Sequence, residues 1–324
     1  RHPIVSQLKD NIDSMSSNLS GNLLPNLEAI GPGSVKIIEQ ARIPVKPKGA
    51  PKVVLFIIAV FFGLFLGLMV AILFEYLDQT VKEPKEIEDA FDIPLLGTIP
   101  KRSSIEASVL IQPDRGVPQV VHAFQVLADQ LYLLTKYKGC KSILIVASEA
   151  SGDAAGVMTS LGLFLSQKTA SRVLLIDADF RRPVLHTLLG VDNSAGFANV
   201  LEGKNVMKDV CHDQGNNLHI LTAGKTELNP VILLNSLMAK EILAEAKKQY
   251  EVILVNCPDV NSFKDSLVLS GYVDGTILVV TESITRRQVL ELGIQSLKNA
   301  GANILGTIFN NRTFPIPDCV YKRM

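Results

Sequence analysis

The stretch SILIVASEASGDAAG, residues 142–156, decides the fold. Seven apolar or small residues, Ser142–Ser148, form an unbroken run, a short polar loop follows, and an apolar helical pattern opens at Ala154. Strand, tight loop and helix in that order form the setting of a phosphate-binding loop, in which backbone N–H groups at a helix N-terminus face an anion. A working loop of this kind also needs a lysine for the β/γ charge and a hydroxyl for Mg²⁺. Ala155 stands at the lysine position and Gly156 at the hydroxyl position, and neither side chain can supply that chemistry. The degenerate loop is Ser151, Gly152, Asp153, Ala154, Ala155 and Gly156.

Working outward, helices and apolar strands alternate. Helices are expected at 120–137, 154–168, 238–249 and 286–299. Strands are expected at 142–148, 173–178, 218–223, 252–256, 276–281 and 304–310. Strands apolar throughout and separated by helices predict a mostly parallel, doubly wound α/β sheet covered on both faces, with ligands at the carboxyl ends of its strands. The strand VLLIDA runs into Asp177-Ala178-Asp179-Phe180-Arg181-Arg182, placing two carboxylates and two guanidiniums at that edge. Asp177 and Asp179 are the candidate metal-binding and proton-accepting groups, Asp177 foremost for a metal. The alternative is that Asp179 caps the following turn and the arginines pair with these acids. The strand VILVN ends in Asn256, where an aspartate for Mg²⁺ would stand in a complete site.

Ahead of this domain, Val53–Phe74 contains no charge and no proline between Lys52 and Glu75. At 1.5 Å per residue it reaches about 33 Å, enough to cross a hydrocarbon core. Gly63 and Gly67 form a weak G-x-x-x-G signal for helix contact. Arg42, Lys46, Lys48 and Lys52 precede the helix, whereas only Lys82 and Lys85 follow closely, so charge bias alone would put the N-terminal side in the cytoplasm. The nucleotide-type fold and the unpaired cysteines place the C-terminal domain there instead. The remaining divisions are an N-terminal part, 1–52, with an amphipathic helix (Ile4, Val5, Leu8, Ile12, Met15) and a Pro-rich approach; a juxtamembrane segment and linker, 75–118; and the α/β domain, 119–324. Within the juxtamembrane segment, Glu83-Pro84 can open a short helix and Ile93–Ile99 a short strand. The start at Arg1 is expected to mark a fragment or a processed product.

Hydrophobic residues make up 47% of the chain and the mean hydropathy is +0.26, high for a soluble enzyme. Lys+Arg and Asp+Glu balance at 32 each without a basic block, which argues against nucleic acid as a partner. Cys140, Cys211, Cys257 and Cys319 form no C-x-x-C pair and are expected as reduced thiols.

The Pro-rich approach, the apolar helix, EPKEIEDAFDIPLLGTIPK (83–101), a linker and VLLIDADFRRP (173–183) together resemble the polysaccharide co-polymerases fused to bacterial tyrosine kinase domains, over nearly the whole chain. The resemblance implies the end of an extracytoplasmic domain, the second of two membrane helices, and a cytoplasmic kinase domain related to the MinD/ParA ATPases. It also implies ring-shaped homo-oligomers in the inner membrane that govern the length and export of capsular, exo- or lipopolysaccharide. Carried onto this sequence, Ala147–Gly156 matches the Walker A loop, Asp177 and Asp179 the Walker A′ aspartates, Asn256 the Walker B aspartate, and Asn310 a residue near the adenine. The departures are the missing lysine, hydroxyl and Walker B acid. His122, Gln125 and Ala128 also replace the Glu-x-x-Arg-x-x-Arg of the oligomerisation helix, and only Tyr321 remains near the C-terminus.

These losses together predict a membrane scaffold with a non-catalytic kinase-like domain. ATP or ADP with Mg²⁺ is expected as a weak ligand at most, and the partners are the membrane, other copies of the chain, and the polysaccharide polymerase or export machinery. The competing expectations are an active, autophosphorylating protein-tyrosine kinase that borrows missing groups from a neighbouring subunit, and a docking module for a separate kinase or phosphatase.

Overall fold

The computed structural model describes residues 3–20, 51–101, 117–150, 153–168 and 172–313. The Pro-rich approach, most of the linker, Ser151, Gly152, Cys319 and Tyr321 lie outside them. The chain divides into two compact units, one up to Ile72 and one from Leu73 onward.

In the first unit, α1 spans Pro3–Ser20. Its apolar stripe of Ile4, Val5, Leu8, Ile12 and Met15 is exposed. Helix α2, Lys52–Leu77, has no buried residue over 26 positions. A soluble core helix of that length would bury at least one face. By length and composition it is long and apolar enough to cross a membrane.

The second unit contains the sheet. Pro84 opens α3 (Pro84–Phe91), and Asp92 closes it in the left-handed conformation at φ 53°. Then follow β1 (Leu95–Pro100), α4 (Pro118–Lys138), β2 (Ser142–Ala147), α5 (Ala154–Lys168), β3 (Val173–Asp177), α6 (Leu185–Leu189), α7 (Phe197–Leu201), α8 (Met207–Val210), β4 (Cys211–Asp213) and β5 (Leu218–Leu221). The chain closes with α9 (Pro230–Leu234), α10 (Leu237–Gln249), β6 (Val252–Asn256), α11 (Asp265–Ser270), β7 (Gly275–Thr281), α12 (Arg287–Asn299) and β8 (Ile304–Arg312). Helix α4 begins on Pro118 and ends at Gly139 with φ 69°, while α10 is capped by Ser236, whose hydroxyl accepts from the Ala239 N–H.

The eight strands lie in the order β1-β8-β7-β2-β6-β3-β5-β4, parallel except for the antiparallel β4–β5 pair. The predicted doubly wound architecture is therefore present. Strands β2, β3, β6 and β7 are buried along their whole lengths, and alternate residues feed two cores. Ile143 and Ile145 face α4 and α5 through Phe124, Leu127, Met158 and Leu161, whereas Leu144 and Val146 belong to the core built with α10 and α12.

One boundary differs from the sequence expectation. The strand foreseen in the juxtamembrane segment is β1, an edge of the main sheet paired in parallel with β8, so the compact unit starts well before residue 119. Its closeness to α4 explains Gly97, where a β-carbon would come 2.7 Å from Leu127.

At the end of the sheet opposite the phosphate-type loop, Asp274 ties three elements together. Its carboxylate accepts from the Ser142 N–H (2.8 Å), the Ser142 hydroxyl (3.0 Å) and the Lys247 ammonium (2.7 Å). Burial alone would raise this carboxyl, but Lys247 and the Ser142 donors outweigh it and hold it below the ordinary value. A depressed carboxyl contributes stability above its unfolded value and loses that contribution as pH falls through the folded one. Asp274→Asn should therefore cost about 1–3 kcal/mol at pH 7. The gap from wild type should close below about pH 4, measured by urea unfolding across pH.

Candidate functional site

The carboxyl ends of β2, β3 and β6 converge on a cleft of about 170 Å³ lined by Ala147, Glu149, Ala155, Asp179, Arg182, Asn256 and Asp259. Small-molecule pockets typically measure about 300–1,000 Å³. The order of the strands reverses here, with β2 between β6 and β7, which is where open parallel sheets bind ligands.

Asp177 ends β3 and is fully buried. Its Oδ1 accepts from the Asp179 N–H (3.1 Å) and from Asn256 Nδ2 (2.9 Å). Its Oδ2 accepts from the Val184 and Leu185 N–H groups (both 3.1 Å), seating the start of α6. Burial pushes the Asp177 carboxyl up while these donors act against it. Both oxygens are thus turned to protein donors, and the amide of Asn256 stands where a metal bridging two carboxylates would need an acid.

Asp179 behaves as the turn cap anticipated in the alternative. Its Oδ1 accepts from the Arg181 (3.1 Å) and Arg182 (2.8 Å) N–H groups, and burial raises its carboxyl as well. The arginines, however, pair elsewhere. Arg181 makes a forked contact with the fully buried Asp265 (2.9 and 3.3 Å) and lies 4.1 Å from the Phe263 ring centroid. Arg182 approaches Asp259 at 3.6 Å. Nothing in the motif pointed to Asp259 and Asp265, which are brought in by the loop after β6 and the start of α11.

At the phosphate-type loop, the Asp153 carboxylate accepts from the Gly156 N–H at 3.0 Å. The N-terminus of α5, where a phosphate would meet backbone donors, therefore carries an anion of the chain itself. A β-carbon at Gly156 would collide with that carboxylate, so the Ser or Thr of a complete loop would displace it. Ala154 and Ala155 present only methyl groups. Ser151 and Gly152 lie outside the described residues. Asn310 in β8 faces Thr281 in β7; the side chain is fully buried, with neither Oδ1 nor Nδ2 hydrogen-bonded. It does not line the cleft. Among the described residues, the donor set does not fit a Mg²⁺–triphosphate, and no cluster of three or more His, Cys, Asp or Glu could hold a metal ion.

No family model matches the chain. It is 26% identical over 290 residues to a tyrosine-protein kinase from Acinetobacter johnsonii, covering 86% of this chain and 39% of that protein. It is 27% identical over 302 residues to the tyrosine-protein kinase etk of Escherichia coli K12, covering 86% and 41% respectively. The chain thus spans about two fifths of the length of these relatives. Among solved structures, the VpsO kinase domain superposes with a TM-score of 0.53 at 29% identity, covering 58% of this chain and 96% of that one. The chain is thus similar in sequence and fold to bacterial tyrosine-kinase domains. The kinase domain of Escherichia coli ETK, at 24% identity, shares the fold with a TM-score of 0.66 over 73% of this chain and 97% of that chain.

Within this kinase-type domain, the Asn256–Asp177 bond generates a direct test. Asn256→Asp removes a donor and sets two buried carboxylates side by side, which drives one of them to bind a proton. A carboxyl whose folded value is raised stabilises at low pH and loses that stability as pH rises. The variant should lose about 3 kcal/mol at pH 8 and distinctly less at pH 5, measured by thermal or denaturant unfolding. An equal loss at both pH values would rule out charge repulsion as the cause.

Proposed function

We propose that this chain is a membrane-anchored scaffold in the synthesis or export of a bacterial surface polysaccharide, with a kinase-type domain that does not transfer phosphate. The observation that carries the proposal is the hydrogen bond from Asn256 Nδ2 to Asp177 Oδ1 at 2.9 Å. It satisfies without a metal the pair of side chains that would otherwise hold one. The carboxylate of Asp153 at the N-terminus of α5 supports the same reading, because it meets an incoming phosphate with like charge.

The polysaccharide assignment draws on relatives. One, 23% identical over 294 residues, is a putative tyrosine-protein kinase in cps region from Klebsiella pneumoniae. Another, 28% identical over 296 residues, is a putative tyrosine-protein kinase EpsB from Ralstonia nicotianae. On this reading α2 anchors the chain in the inner membrane, residues 119–324 face the cytoplasm, and the chain forms homo-oligomers beside the polymerase or export machinery. The extracytoplasmic part would be the co-polymerase portion that sets chain length. These relatives are named tyrosine-protein kinases, which keeps phosphotransfer as the rival reading.

Titration calorimetry of the full chain in detergent with Mg²⁺–ATP distinguishes the two. The scaffold reading expects a Kd weaker than about 1 mM and no incorporation of γ-phosphate into the chain. Micromolar affinity abolished by Asp177→Ala, or labelling of Tyr321, would overturn it. Deletion of the coding sequence should in either case alter the length distribution of the surface polysaccharide on a gel.

A further inference from the structure

Helix α10 carries more apolar side chains than its core contact needs. Ala239, Ile242, Leu243 and Ala246 form a complete buried stripe at i, i+3, i+4 and i+7 that packs the helix onto the sheet. Leu237 and Met238 fall outside that stripe and are 76% and 40% exposed. Val206, the residue ahead of α8, is 66% exposed. A single exposed apolar residue needs no explanation, but a set that shares one groove marks a contact.

Val206 and Met238 do share one. A groove of about 310 Å³ runs between α10 and the α7–α8 connection, with Val206, Met207, Met238 and Ile242 as its apolar lining and Glu241 and Glu245 as its charged residues. The unbranched Met207 and Met238 let that lining adapt to a guest. Glu245 is engaged by Lys248 (3.0 Å) and Gln249 (3.2 Å), whereas Glu241 forms no ion pair among the described residues. Of the neighbouring lysines, Lys204 pairs with Glu202, and Lys240 lies 4.7 Å from the Tyr272 ring centroid. The groove thus offers an apolar floor beside an uncompensated carboxylate. From Met238 to Glu245 it follows two turns of helix, about 10 Å, the span over which a second helix sets anchors at i, i+4 and i+7.

We propose that this groove docks an amphipathic helix of another protein, whose apolar stripe is bordered by a basic residue that meets Glu241. An anionic membrane surface is the wrong occupant, because its charge has the same sign as the groove's. Helix α10 covers the face of the sheet opposite α4 and α5, and no residue of the groove lines the cleft beside Asp179. The docking is therefore independent of phosphate transfer, and it stands or falls separately from the scaffold reading.

Fluorescence anisotropy of the full chain in nanodiscs of neutral lipid tests it, with empty nanodiscs as the blank. The probe is a labelled synthetic helix of about 15 residues with Leu at i, i+4 and i+7 and Arg between them, beside a counterpart with Glu for Arg and a scrambled peptide of the same composition. The Arg peptide should bind about tenfold tighter than either. Glu241→Lys should reverse the order of the Arg and Glu peptides. Met238→Asp should weaken the Arg peptide about tenfold, while Leu292→Asp on α12 leaves it unchanged. Equal affinity for the three peptides, or an Arg peptide indifferent to Glu241→Lys, overturns the proposal. If Met238→Asp lowers the unfolding temperature, the surface change Glu241→Lys decides alone. Light scattering should give both variants the assembly mass of the wild type; a smaller mass would assign the groove to a contact between copies of this chain and overturn the proposal.

Discussion

The carboxylate of Asp177 sits at the centre of the arrangement. Leaving a carboxylate in a fully buried position is costly unless every lone pair meets a donor. Here three backbone N–H groups and one side-chain amide do so, drawn from the turn after β3, the start of α6 and the end of β6. That demand dictates the course of the chain from Asp177 to Leu185 and requires an amide rather than an acid at position 256. The Asp179 cap follows from the same turn, and the arginines it releases into the cleft find Asp259 and Asp265 instead.

Much of the architecture was legible in the sequence because buried parallel strands must be apolar on both faces. The runs at 142–148, 173–178, 252–256 and 276–281 therefore announced β2, β3, β6 and β7 within a residue or two. Helix α5 was read to its end residues for the same reason, since its pattern starts abruptly after a polar loop. What escaped was structure fixed by partners distant in sequence. LLGTIP looks like any short strand, and only its pairing with β8 makes it part of the sheet. The short antiparallel β4 carries no alternation to recognise, and α6, α7, α9 and α11 are too brief for a periodic signal.

At the site, residue types were legible and their engagements were not. The missing lysine at 155 and the missing acid at 256 can be read from motif spacing alone. That the Asn256 amide completes the shell of Asp177, and that the Asp153 carboxylate turns back onto the Gly156 N–H, depends on side-chain directions that spacing does not encode. The dock of Gln79–Val81 on the turn after β7 is hidden for a similar reason. Backbone pairing between segments some 200 residues apart leaves no compositional trace, although the buried Val81 amid polar neighbours is a weak hint.

The Asp153 turn also bears on how such a loop can change over generations. A lysine at 155 alone would enter a helix start already neutralised by an internal anion, and a serine at 156 would strike that anion. An aspartate at 256 alone would set like charge against Asp177. The changes at 156 and 256 are thus each unfavourable while Asp153 and Asp177 hold their present partners. Positions 156 and 256 are in that sense entrenched: in the present surroundings either single change toward a complete site is opposed by a neighbouring carboxylate.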